Sequence, residues 1–244
     1  MIEKKCIFPN FLTIMGMFCG FYSIITSIHG EYLSSAYAIL AAFVFDGLDG
    51  KVARALNATS KFGVQLDSLS DLISFGVAPA ILVYMWLLTP FGRLGWMAAF
   101  LFVACGALRL ARFNVQSGKV DLSFFVGLPI PAAAGVIAAS VLFVKKVFGS
   151  PVDFSIPVSY VFFIYLLAFL MVSSIPYYSF KKLDYLSKRP FNLMVIFVLF
   201  IFVIGTFPEI FLFVIFIAYI LLGLLFGLLR LRKKLPAEEH IEEF

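Results

Sequence analysis

Eight long apolar runs restrict this chain to one kind of fold. They cover residues 11–28, 33–54, 66–88, 94–113, 124–144, 158–175, 191–207 and 210–229. Each is near the roughly 17–25 residues that an α-helix needs to cross the hydrocarbon core of a bilayer, where backbone N–H and C=O groups have no water to turn to. At 62% hydrophobic residues, the chain is well above the roughly 45–50% of a soluble domain, which excludes a water-soluble reading. The predicted fold class is all-α: a polytopic membrane helical bundle of about eight transmembrane helices, forming one integral-membrane domain over residues 1–244.

The placement of Lys and Arg gives an orientation. With an even number of spans both termini share a side, and of the 19 Lys and Arg only Arg93, Lys145 and Lys146 fall on the other. Cytoplasmic loops carry the excess of basic residues, so both termini and the loop near residue 57 are expected in the cytoplasm, with the protein in the cell membrane. These charges lie in short loops between apolar runs, with no basic face or aromatic platform, so no nucleic-acid partner is expected. Cys6, Cys19 and Cys105 have neither disulfide-framework nor zinc-site spacing. Trp86, Trp96 and Tyr84 read as an interfacial aromatic belt.

Against this background the stretch from Asp46 to Asp71 stands out. Asp46 and Asp49 are three residues apart, Asp67 and Asp71 four apart, so each pair lies on one face of its own helix. A carboxylate inside a span costs roughly 2.5–3.5 kcal/mol on insertion scales, a cost that calls for a compensating partner. A solvated loop between two helices would account for Lys51, Asn57, Ser60 and Lys61. It would account neither for the spacings nor for Asp71, which an apolar run follows directly. Gly47, Gly50, Ala53 and Gly63 thin the two helices so that a partner can come close to the backbone, and Arg54 brings a fork of donors suited to phosphate. Four carboxylates without soft ligands suit hard divalent cations such as Mg²⁺, Mn²⁺ or Ca²⁺.

Two further groups share helix faces at the same boundary. Pro9 can open the first helix without losing a needed backbone bond, and Asn10 and Thr13 follow on one face. They could equally cap the helix and bond its own backbone. Arg109 and Arg112 close the fourth run, just before Asn114, and snorkelling to lipid headgroups is an alternative use for them. Pro129 and Pro131 should break the start of the fifth run.

The order Asp46, Asp49, Gly50, Ala53, Arg54, Gly63, Asp67, Asp71 resembles the signature of the CDP-alcohol phosphotransferases, Asp-x-x-Asp-Gly-x-x-Ala-Arg, eight residues, Gly-x-x-x-Asp-x-x-x-Asp. With residue frequencies of about 5–7%, eight fixed positions would coincide by chance on the order of once in 10⁸ such chains. The Pro9-Asn10-x-x-Thr13 opening, the segment from Arg109 to Asn114 and the segment from Gly127 to Ala134 resemble the serine-specific branch of that family. The likeness is dense from about residue 8 to 134; the last three spans, about 158–229, match only in being hydrophobic.

The resemblance implies a bundle in which Asp46, Asp49 and Asp67, with Asp71 added, hold two divalent cations, Mg²⁺ or Mn²⁺, and Asp71 is the catalytic base. It implies that Asn10, Thr13, Gly50, Ala53, Arg54 and Gly63 surround the nucleotide and pyrophosphate, and that Arg109, Arg112 and Asn114 meet the acceptor or the transferred phosphate. The expected substrates are a CDP-diacylglycerol-type lipid, with ester or ether tails, and L-serine, with CMP released by a homodimer surrounded by membrane lipids. Two alternatives stay open: a sister enzyme that uses glycerol phosphate or inositol phosphate, and a divalent-cation transporter, which Arg54 argues against because it would repel a passing cation.

Overall fold

The computed structural model describes residues 4–58, 60–116, 124–149, 158–178 and 206–234. Among them are α1 (Ile7–Ile28), α2 (Tyr32–Ala55), α3 (Lys61–Phe91), α4 (Arg93–Gln116), α5 (Ile130–Phe148), α6 (Ser159–Val172) and α7 (Pro208–Lys234). A short antiparallel pair, β1 (Phe124–Val126) with β2 (Pro176–Tyr178), joins the segment after α4 to the segment after α6. Six of these helices, all but α6, are long and apolar enough to cross a membrane, and the chain is an integral membrane protein. The seventh run expected from the sequence, 191–207, lies almost wholly outside the described residues.

The helix faces are inverted relative to a soluble bundle. On α1 the buried stripe is Pro9, Thr13, Gly16, Gly20, Ser23 and Ser27, while Phe8, Phe11, Phe18 and Phe21 point outward. Small residues let helix backbones approach where no hydrophobic force separates lipid from protein, and hydroxyls then supply directional bonds. Ser35 Oγ of α2 lies 2.7 Å from both Ser23 Oγ and Ser27 Oγ of α1. Towards α3, Ser70 Oγ donates to the Thr13 carbonyl and Ser74 Oγ to the Gly16 carbonyl, both at 3.0 Å. The fit is tight: a Cβ on Gly20 would lie 2.6 Å from Ser74 Oγ and 2.7 Å from its Cα.

Helix α3 is longer than its apolar run, which the sequence placed at 66–88, and it is not uniformly α. Leu72–Val77 and Tyr84–Leu88 are wound as π-helix, with the N–H of Ala78 reaching the Ile73 carbonyl and that of Thr89 the Tyr84 carbonyl. Pro79 and Pro90 follow immediately. Proline cannot donate to the carbonyl four residues back, and a widened turn ahead of it accommodates the loss. The first π-turn starts at the residue after Asp71.

Two other expectations are corrected. The fifth helix begins at Ile130 and not at residue 124, because Gly127 has φ +82° and the Pro129–Pro131 segment opens the helix there, leaving Phe124–Val126 as a strand. Trp86 is not a belt residue: it is buried, with its ring edge-on to Tyr160 at 6.2 Å, whereas Trp96 is exposed. Trp86 lies four residues after the buried Leu82 and three after the buried Val83, on the face of α3 that meets the core.

Candidate active site at the α2–α3 hairpin

The hairpin that brings the two aspartate pairs together is written locally. Helix α2 stops in a Schellman arrangement: the Ala58 N–H donates to the Ala53 carbonyl at 2.9 Å and the Asn57 N–H to the Arg54 carbonyl at 3.2 Å. Asn57 takes φ 50°, a left-handed conformation that Asn tolerates better than most residues. Helix α3 is started two residues later by Ser60, whose Oγ accepts from the Gly63 N–H at 2.9 Å. The buried Cys6 thiol donates to the Ala58 carbonyl at 3.3 Å and fastens the hairpin to the turn before α1.

This geometry converges the carboxylates. Oxygen atoms of Asp46, Asp49 and Asp67 all lie within 4.8 Å of one another. Asp71 is not among those three, but lies near enough to Asp46, Asp67 and Asp49 to interact with each electrostatically. Asp49 is buried and accepts a 2.7 Å hydrogen bond from Thr13 Oγ1. The same hydroxyl lies 3.2 Å from the Pro9 carbonyl, the longer of its two contacts, so its one proton goes chiefly to the carboxylate.

A pocket of about 150 Å³ opens beside the cluster, lined by Pro9, Asn10, Thr13, Asp49, Gly50, Ala53, Arg54, Ala58, Ser60, Gly63, Val64 and Asp67. It contains every residue expected around the nucleotide. Gly63 keeps it open, since a Cβ there would lie 3.2 Å from both Asn10 Oδ1 and Ser60 Oγ. The chemistry of the lining fits divalent cations: three converging oxygen ligands repel one another unless a cation lies between them, and the pocket holds no thiol or imidazole.

The three acceptor candidates are placed differently. Arg109 is 8% exposed and close enough to Asp71 to interact with it electrostatically, and its Nε has no hydrogen-bond partner among the described residues. Arg112 donates to the carbonyls closing α6, from Nη1 to Val172 at 3.1 Å and from Nη2 to Ser173 at 3.4 Å. Asn114 Nδ2 donates to Ser68 Oγ at 2.9 Å, next to Asp67 in sequence. Arg112 therefore braces helix ends, and Arg109 is the arginine whose charge is felt at Asp71.

Sequence reasoning took Ser60 only as a loop residue and passed over Ser70 and Ser74. A Ser three residues before Gly63 is a recognisable helix start, and Ser70 and Ser74 repeat the four-residue spacing of Asp67 and Asp71.

Buried hydroxyls, lipid-facing aromatics and a carboxylate cluster beside a pocket make a polar site within an integral membrane bundle. Residues 6–174 match the family described as CDP-alcohol phosphatidyltransferase, and the chain belongs to that family. It is 40% identical over 202 residues to a CDP-diacylglycerol–serine O-phosphatidyltransferase of Helicobacter pylori, covering 83% of this chain and 84% of that one. It is 40% identical over 171 residues to the archaetidylserine synthase of Methanothermobacter thermautotrophicus, covering 69% and 68% respectively. A Bacillus subtilis CDP-diacylglycerol–serine O-phosphatidyltransferase is 34% identical over 174 residues, covering 71% of this chain and 91% of its own.

Proposed function

We propose that this protein transfers a phosphatidyl group from a CDP-diacylglycerol-type lipid, with ester or ether tails, to L-serine. The observation that carries the reading is the meeting of Asp46, Asp49 and Asp67 beside a pocket that also holds Asn10, Thr13 and Arg54. Relatives named for the serine reaction supply the acceptor.

In this reading Asn10, Thr13, Gly50, Ala53, Arg54 and Gly63 surround the cytidine and pyrophosphate, with Gly50 and Gly63 allowing close backbone approach and Arg54 meeting phosphate oxygens. Asp46, Asp49 and Asp67, joined by Asp71, would hold two divalent cations, Mg²⁺ or Mn²⁺, which neutralise pyrophosphate charge and polarise the phosphorus. Asp71 accepts the proton of the serine hydroxyl as its oxygen bonds to the phosphorus that carries diacylglycerol. The bond from that phosphorus to the CMP oxygen breaks, and CMP leaves with the electron pair. Arg109, buried beside Asp71 with an N–H to spare, receives the serine carboxylate; Arg112 and Asn114 hold the surrounding helix ends in place. The site faces the cytoplasm, following the distribution of Lys and Arg, and the working form is a homodimer.

The test is an acceptor panel. Purified protein is incubated with CDP-diacylglycerol, Mn²⁺ or Mg²⁺ and labelled L-serine, glycerol 3-phosphate or inositol phosphate. Label in a lipid product from serine, matched by CMP, is the expected result. Incorporation of glycerol phosphate or inositol phosphate in its place would identify a sister enzyme. Cation flux into vesicles with no CMP released would mean transport, against which the presence of Arg54 in the pocket argues.

A further inference from the structure

The end of the bundle away from the aspartates carries a second pocket. Where α1 gives way to α2, a cavity of about 300 Å³ opens between the start of α2, the second π-turn of α3 and the last turns of α5, and its lining includes Glu31, Tyr32, Trp86, Val141, Val144 and Lys145. Its walls are tied together: Tyr32 Oη donates to the Met85 carbonyl at 3.0 Å, and Trp86 is buried edge-on to Tyr160, whose hydroxyl lies 2.6 Å from Ser140 Oγ. Glu31 and Lys145 are the charged members of the lining, and both are exposed. Glu31 stands at the N-cap position of α2, yet only its backbone carbonyl serves the helix, accepting from the Ser35 N–H at 3.1 Å; its carboxylate makes no capping bond.

An apolar groove of about 430 Å³ adjoins this pocket, and Ser34 lines both. It runs between Phe18 and Tyr22 of α1 and Tyr37 and Ala41 of α2, over the smaller Cys19 and Ala38. Because α2 starts at the pocket, the seven residues from Ser34 to Ala41 carry the groove roughly 10 Å towards the middle of the bundle. Phe18, Tyr22 and Tyr37 are exposed, so the groove opens to lipid. An acid and a base in one pocket give no net attraction for an ion of either sign, but they complement a group that carries both: Lys145 suits a phosphate and Glu31 an ammonium. A charged cup at a helix end, continued by an apolar groove along the span, has the layout of a phospholipid, whereas a free zwitterion would use the cup alone.

We propose that the pocket and the groove form one binding site for a phospholipid with a zwitterionic, ammonium-bearing headgroup, of the ethanolamine type, in the leaflet opposite the aspartate cluster. Lys145 receives its phosphate, Glu31 its ammonium, and the groove between α1 and α2 one acyl chain. The site stands independently of the serine reading and takes no part in the transfer reaction itself.

The test titrates the full chain, purified in detergent, with phosphatidylethanolamine or phosphatidylglycerol of matched acyl chains, and with water-soluble phosphoethanolamine, reading bound lipid by native mass spectrometry. The parent should bind the ethanolamine lipid more tightly than the glycerol lipid and hold free phosphoethanolamine far more weakly. Glu31→Gln and Lys145→Gln should each weaken ethanolamine-lipid binding by about two- to fivefold, the range of an exposed ion pair. Glu31→Lys leaves two basic side chains in the pocket and should reverse the preference towards the anionic glycerol lipid. Ala41→Trp fills the groove and should weaken both lipids by about tenfold or more. Equal binding of the two lipids by the parent, or a preference that Glu31→Lys leaves unchanged, overturns the headgroup assignment and with it the proposal. Free phosphoethanolamine bound as tightly as the lipid also overturns it, since the groove would then contribute nothing. Glu31 is exposed, so the Glu31→Lys comparison decides the matter even where Ala41→Trp does not fold.

Discussion

The hydroxyl of Thr13 on α1 donates to Asp49 Oδ2 on α2 at 2.7 Å, so the first helix orients one carboxylate of the acidic cluster from outside the hairpin that carries it. A hydrogen bond to a charged, buried acceptor contributes about 1.5–3 kcal/mol. Thr13→Val keeps the shape and removes the donor. It should raise the Mg²⁺ or Mn²⁺ concentration needed for half-maximal CMP release by about tenfold or more, and Thr13→Ser should largely restore it. A metal titration of the three proteins checks this.

Divalent cation should be required for activity, because the oxygens of Asp46, Asp49 and Asp67 lie within 4.8 Å of one another and would otherwise repel. Thorough EDTA treatment should abolish CMP release, and added Mg²⁺ or Mn²⁺ should restore it. Asp67→Asn should lower both metal affinity and turnover, while Lys145→Ala, at the opposite end of the bundle, should change little. Full activity in EDTA would sink the metal part of the reading.

Asp71 differs from its neighbours in lying beside the three-carboxylate group and not within it. Asp71→Asn should leave liponucleotide binding largely intact and lower the single-turnover rate by the roughly 10²–10⁴-fold typical of losing acid–base catalysis. Binding and rate that fall together, and recover together with added metal, would make Asp71 chiefly a ligand. Near-parental turnover would remove it from the mechanism.

Gly20→Ala addresses the scaffold. The new methyl would collide with Ser74 and push α3 from α1, straining the Ser74–Gly16 and Ser70–Thr13 bonds. Overpacking of this kind costs about 1–3 kcal/mol. The melting temperature in detergent should drop by several degrees, whereas Gly47→Ala, with open space around its Cβ, should leave it nearly unchanged.

The cytoplasmic placement is tested with Lys61→Cys, an exposed position at the start of α3, in a background where Cys6, Cys19 and Cys105 are replaced. A membrane-impermeant thiol reagent should label it in inverted vesicles and not in intact cells. Labelling from outside would reverse the topology.

Much of this protein was legible before any packing was known. Run length and composition gave an all-helical membrane bundle, and spacings of three and four gave each aspartate pair its shared face, because both follow from the helix repeat and the bilayer alone. The hairpin was also local: Asn57, Ser60 and Gly63 stop one helix and start the next. Periodicity could not say which faces meet. That was decided by how closely backbones approach, at Gly16 and Gly20 against Ser70 and Ser74, which set Thr13 on Asp49. The packing of α3 put Trp86 in the core beside Leu82 and Val83, and Gly127 replaced the first turn of a helix with a strand. Helix α7 carries no motif of its own, and only the fit of Phe216 into Gly135 and of Gly227 against Ile175 seats it on the bundle.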